Sequence, residues 1–156
     1  MALHISGADI PEKHSVRSGE KGFGSVTTKR VYGNNSSVEI AVRAPGYHTT
    51  PHVHEGEQIN YILEGEIWFF VEDQGFLCKK GDFSRIPANA IHWAWNQSDQ
   101  ESVVIETHAP TQIGGSAGAK AVGLYKDEEP PQVKEVSSNR HVPYDWEATE
   151  RKYNLR

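Results

Sequence analysis

The sequence predicts an all-β sandwich or barrel with a polar arm before it and a short helix after it. Short apolar runs recur at close spacing from Val26 to Thr107, several of them alternating with polar residues as half-buried strands do. Clusters of Gly, Pro, Asn and Asp separate them, and these residues favour turns. A chain of 156 residues is also long enough for one domain with a sizeable core.

Residues 1 to 23 are polar with scattered Gly and Pro and read as an arm. Val26 to Tyr32 reads as the first strand, and Gly33-Asn34-Asn35-Ser36-Ser37 as a turn. Val38, Ile40 and Val42 alternate with Glu39, Ala41 and Arg43, the pattern of a half-buried strand. Ala44-Pro45-Gly46 then turns the chain into a histidine-rich segment, and Gln58 to Glu64 is the next strand. Glu66 to Glu72 is apolar on both faces, with Ile67, Phe69 and Val71 on one and Trp68 and Phe70 on the other. Such a strand lies inside a sandwich or under a subunit interface.

Asp73-Gln74-Gly75 reads as a hairpin turn, and Gly81-Asp82 as the turn between Phe76–Lys80 and Phe83–Ile86. Ile91 to Gln97 and Ser102 to Thr107 follow as strands. After Pro110 the composition shifts: Gly114 to Ala119 is flexible, and Asp127 to Pro131 is an extended or turn segment. Asp145 is placed to cap a short helix over Trp146 to Tyr153, with Glu147 facing Arg151 one turn on. Trp146 and Tyr153 are expected to anchor this tail on the barrel or on a partner chain.

Composition excludes several classes of function. A net charge of −5 gives no electrostatic reason to expect nucleic acid or an anionic membrane. The longest apolar run, near Ile67 to Val71, is far too short for a helix to span a bilayer. The opening stretch MALHISGADIPEKH has no basic segment followed by a long apolar one, so no secretory signal is expected. Cys78, the single cysteine, permits no internal disulfide and fits a reducing, cytoplasmic setting. It reads as a small strand residue rather than a nucleophile.

The chemistry gathers in two stretches. His52 and His54 are two residues apart, so in a strand both imidazoles point the same way, as a metal site requires. Alone this means little, since eight His in 156 residues give about 0.4 such pairs by chance. A second stretch adds weight: Gly81 to Asn96 holds turn residues and then His92, which opens an apolar strand.

Together the two stretches resemble the paired motifs of the cupin superfamily. The first reads Gly46-x5-His52-x-His54-x3-Gln58-x6-Gly65, with Gln58 where the family usually has Glu. The second reads Gly81-x5-Pro87-x-Asn89-x2-His92-x3-Asn96, with Asn89 where the family usually has Gly. The resemblance covers roughly residues 37 to 110 and selects, among all-β folds, the jelly-roll barrel (a double-stranded β-helix). It implies a barrel over residues 24–110, an arm over 1–23, and an extension over 111–156 packing on the barrel or a partner subunit. Arms in similar proteins pack on a second copy, so a homodimer is expected.

The resemblance makes His52, His54, Gln58 and His92 the candidate ligands of one divalent transition metal. Three imidazoles and an oxygen suit Fe, taken first, or Mn, Ni, Co, Cu or Zn, rather than Ca or Mg. The neutral Gln58 amide would leave the metal a stronger Lewis acid than a carboxylate would. Alternatively Gln58 stands off and hydrogen-bonds, leaving a facial three-His site.

Gln58 and Asn60 are the candidate catalytic residues, Asn60 offering its amide to a substrate hydroxyl or carbonyl. Ala94 shares a face with His92 and leaves room for substrate; Phe69, Ile62 and Ile67 are candidate apolar walls. Glu106 and His108 share a strand face with Val104 and read equally well as pocket or surface groups, outside the ligand set. Glu57 is expected to be solvated, and Tyr61, Trp93 and Trp95 to point away from the metal face. His48 lies in a loop of unassigned direction, and His4, His14 and His141 read as surface residues.

One fold hosts many chemistries. The leading function is a metal-dependent enzyme on a small aromatic or enolisable molecule, an O₂-dependent C–C cleaving dioxygenase first. A redox-neutral lyase, isomerase or decarboxylase is the alternative, favoured by Gln58. A non-catalytic small-molecule binding module is the third.

Overall fold

A computed structural model describes residues 4–33, 35–111, 122–123 and 139–156. The segments around Gly114–Ala119 and Asp127–Pro131 lie outside the described residues. Two walls of antiparallel strands share one long strand and close into a barrel-like sheet.

The shared strand is β2 (Gly22–Tyr32), whose end also pairs in parallel with the short β12 (Val122–Gly123). From Val26 onward it pairs with β3 (Ser37–Arg43), which pairs with β11 (Ser102–Ala109), then β6 (Glu57–Glu64), then β9 (Phe83–Ile86). At its start, Gly22 and Phe23 pair instead with β4 (His48–Thr49) of the other wall. That wall continues through β10 (His92–Trp95) to β5 (His52–Val53) and β13 (Arg140–His141). Alongside β10 runs β7 (Glu66–Val71), and alongside β7 runs β8 (Gln74–Lys79). The corner in β2 requires glycine: Gly22 has φ 107°, and a Cβ there would meet the His48 carbonyl oxygen at 1.9 Å.

Several expectations are revised. Within the N-terminal arm, β1 (Lys13–Arg17) pairs with β2 of its own chain and forms part of a cavity wall. The turn expected at Asp73-Gln74-Gly75 is tighter, because Gln74 and Gly75 already pair with Val71 and Phe70. Glu72, at φ 52°, makes the bend with Asp73.

In β3 the alternation is real, but the polar parity faces inward. Ser37, Glu39, Ala41 and Arg43 are buried, and Ile40 is 41% exposed. Inside, Arg30 meets Glu39 through Nε and Nη2, and Arg43 donates Nη2 to Glu106, so each buried charge has a counter-charge.

The apolar core lies between the walls: Ile62, Ile67, Phe69, Ile86, Ala94, Val104 and Cys78. The second apolar face of β7 is covered by the chain's own C-terminal segment. Phe70 stacks on Trp93 at 4.9 Å, and Tyr153 packs on Trp68 and Phe70 while its hydroxyl accepts from the Gly75 amide. The helix α1 (Trp146–Arg151) starts at Asp145, whose side chain accepts from the Ala148 amide at 3.0 Å. Its Glu150, fully buried, accepts from His48 Nε2 at 2.7 Å and from Trp93 Nε1 at 3.1 Å. Arg156 closes the cluster from the solvent side, donating Nε to Glu150 at 2.6 Å. Among the described residues no helix is long and apolar enough to cross a membrane.

Candidate metal centre

The two walls meet at the histidines. His52 on β5 and His92 on β10 are direct cross-strand partners, with ring centroids 4.1 Å apart. His54 follows β5 on the same face and lies 4.6 Å from His92. All three are buried, and one nitrogen from each falls within 4.8 Å of the others.

The backbone selects which nitrogen that is. His52 Nδ1 meets the Thr50 carbonyl at 2.9 Å, His54 Nδ1 the Gly56 carbonyl at 2.8 Å, and His92 Nδ1 the Ala90 carbonyl at 2.9 Å. A carbonyl only accepts, so each Nδ1 carries the proton and each Nε2 keeps its lone pair. Burial, and then the neighbouring His92 ring, hold His52 well below the ordinary imidazole range. Burial and the His54 ring push His92 down to about 4. His52 and His92 are therefore neutral near pH 7, the form that ligates a metal.

Gln58, on β6 of the opposite wall, completes the donor set. Its Oε1 lies 3.2 Å from His54 Nε2, and its Nε2 donates to Asn60 Oδ1 at 2.6 Å. Asn60 Nδ2 in turn donates to Ser84 Oγ at 2.9 Å. This chain of amides fixes Gln58 with its oxygen toward the histidines. Two adjacent ligands each about 2.1 Å from one ion would be roughly 3.0–3.4 Å apart, so the 3.2 Å separation fits two ligands on one cation. Among the described residues His92 Nε2 is buried with no hydrogen-bond partner, which suits a nitrogen that ligates a metal. The residues fit a divalent transition metal.

The candidate residues thus divide. His52, His54, His92 and Gln58 converge. Asn60 is fully buried with both ends of its amide engaged, so it supports Gln58 instead of presenting itself to a substrate. Ala94 and Phe69 line the cavity, as expected, whereas Ile62 and Ile67 belong to the core behind it. Glu57 is only half-buried and pairs with Arg85 at the surface. Trp93 points between β7 and α1, and His48 is a buried anchor for α1, not a loop residue.

Groups outside the expected set also reach the site. His108 Nε2 donates to Gln58 Oε1 at 3.1 Å, and burial, with lesser effects from Glu106 and Arg30, leaves His108 at about 3. Burial alone would raise Glu106, but Arg43 and His108 hold its carboxyl below the ordinary value. His141, expected at the surface, is exposed but pairs with His52 on β13, with the rings 5.7 Å apart. A usable signal lay in the charges: Arg30, Glu39, Arg43 and Glu106 take matching inward positions on three adjacent strands. The cavity bounded by these groups holds about 650 Å³ and is also lined by residues of β1 and β13.

The family described as "Cupin domain" matches residues 40–108. The barrel is a cupin domain. The cupin is 33% identical over 103 residues to an acireductone dioxygenase of Leishmania infantum, covering 62% of this chain and 28% of that protein. It is 32% identical over 104 residues to an acireductone dioxygenase of Leptospira biflexa, covering 60% and 59%. The chain thus spans less than two thirds of the length of either relative. Among solved structures, a cupin-like protein of Thermotoga maritima superposes with a TM-score of 0.56 at 29% identity, covering 62% of this chain and 77% of that one.

Proposed function

We propose that this cupin is a metal-dependent dioxygenase acting on a small enolisable or vicinally dihydroxylated molecule. The observation that carries it is the convergence of three imidazole nitrogens and one amide oxygen at the wall of a 650 Å³ cavity. Its similarity to two acireductone dioxygenases supports this reaction class.

His52, His54, His92 and Gln58 would hold the metal, iron(II) in first place. When bound, such an ion supplies Lewis acidity toward a chelating enol or diol and a redox centre for O₂. The protein supplies the rest. Phe69, Ile86 and Ala94 exclude water from part of the cavity. His108 keeps its proton on Nε2, aimed at Gln58, and so orients the amide oxygen without adding charge. The test is O₂ uptake by the iron-loaded chain against a panel of diketones and catechols; turnover in strict anaerobiosis eliminates the dioxygenase.

A second reading rests on Gln58. A neutral ligand leaves more positive charge on the metal than a carboxylate does, which favours redox-neutral chemistry by a lyase, isomerase or decarboxylase. Anaerobic turnover with zinc or manganese in the site would select it.

A further inference from the structure

Arg43 lines the cavity with its side chain 7% exposed. It differs from Arg30, which meets its carboxylate through two nitrogens. Among the described residues Arg43 engages Glu106 through Nη2 alone, and its Nε and Nη1 are buried with no acceptor. Its guanidinium carbon sits 5.4 Å from the centre of the Tyr47 ring, which offers no lone pair in the plane of those donors. Buried donors of a charged group are left unfilled only at considerable cost, so a further acceptor is called for.

The charge around the cavity points the same way. Among the described residues, five Lys or Arg line it against two carboxylates, Glu39 and Glu106, in a chain whose net charge is −5. The basic residues Lys13, Arg17 and Lys21 come from the N-terminal segment. A cleft of one sign within a low-dielectric wall concentrates ligands of the opposite sign. The ligand charge that fits is a single one. Among the described residues no α-helix lines the cavity, and the one guanidinium with unfilled donors already carries Glu106, so the converging groups that grip a phosphate dianion are missing there.

We propose that the substrate is a small carboxylate, its charged end held by Arg43 and its chelating oxygens turned to the three histidines. This rests on the metal-dependent reading above and adds the substrate class.

The probes are 3,4-dihydroxybenzoate and the uncharged 3,4-dihydroxybenzyl alcohol, which share a chelating head and differ in the charged end. Binding is measured by calorimetry on the full chain loaded with cobalt(II), under nitrogen, with the visible bands of cobalt recorded alongside. The acid is expected to bind at least tenfold more tightly than the alcohol. The paired substitution Arg43→Gln with Glu106→Gln removes both charges together, leaving no buried charge unpaired, and should bring that ratio to about one. Arg43→Lys should keep part of it. Equal affinity for acid and alcohol in the wild type, or an unchanged ratio in the double variant, overturns the proposal. Failure of the metal reading looks different: no cobalt is taken up, or its bands ignore both probes. The same pair measured on the metal-free chain then still decides the role of Arg43.

Discussion

Gln58 Oε1 and His54 Nε2 lie 3.2 Å apart, and with the His54 proton on Nδ1 they present lone pairs to each other. Such a pair repels unless a cation stands between them. Chelator treatment should therefore lower the melting temperature, and added metal should restore it. Metal at a hundred times its Kd contributes about 2.7 kcal/mol to the folded state. Thermal unfolding with and without iron(II), cobalt(II) or zinc(II) is the measurement, and a melting temperature indifferent to all three would remove the metal centre.

The neutral amide has its own test. Gln58→Glu should retain the metal, because a carboxylate is the stronger ligand, but slow turnover by drawing charge off the ion. Gln58→Leu should lose metal, as measured by elemental analysis after gel filtration. If the Glu form turns over as fast as the wild type, the neutrality of Gln58 has no catalytic meaning.

Asn60 acts at one remove. It accepts from Gln58 Nε2 and passes the constraint to Ser84. Asn60→Leu frees the Gln58 amide to rotate, and metal affinity should fall 10–100-fold, the usual effect of removing such a support. Competition with a chromogenic chelator reads this directly. Circular dichroism should show the barrel retained.

Acid should release the C-terminal helix. Burial would raise the Glu150 carboxyl, but hydrogen bonds from His48 and Arg156 dominate and hold it below its ordinary 4.5. A carboxyl lowered in the folded state contributes stability that is present above 4.5 and lost as pH falls through the folded value. Trp93 and Trp146 fluorescence should report detachment in that window. Glu150→Gln keeps the shape but not the charge, and should flatten the transition while destabilising the chain at pH 7 by about 1.5–3 kcal/mol, the range for hydrogen bonds to a charged group. An identical acid transition in this variant would show that the helix is held by packing alone.

How much of this was legible in the sequence depends on the kind of signal. His52, His54 and His92 were visible because a period of two places alternate residues on one face, and the two motifs put those faces on neighbouring strands. Asp145 was visible as a cap because capping is local. The inward face of β3 was not. Hydrophobicity puts Val38, Ile40 and Val42 inside, yet Glu39 and Arg43 take that place because Arg30 and Glu106, on strands distant in sequence, neutralise them there. For the same reason His48 and Glu150, 102 residues apart, had no shared signature before the helix folded back.

By itself the sequence determined the strand periods, the turns and the three histidine positions, because these depend on residues a few places apart. Only the tertiary structure decided that the cavity is charged, that Asn60 supports Gln58, and that the tail shields Trp93. Those facts turn on which groups desolvate each other, and desolvation is a property of neighbours in space.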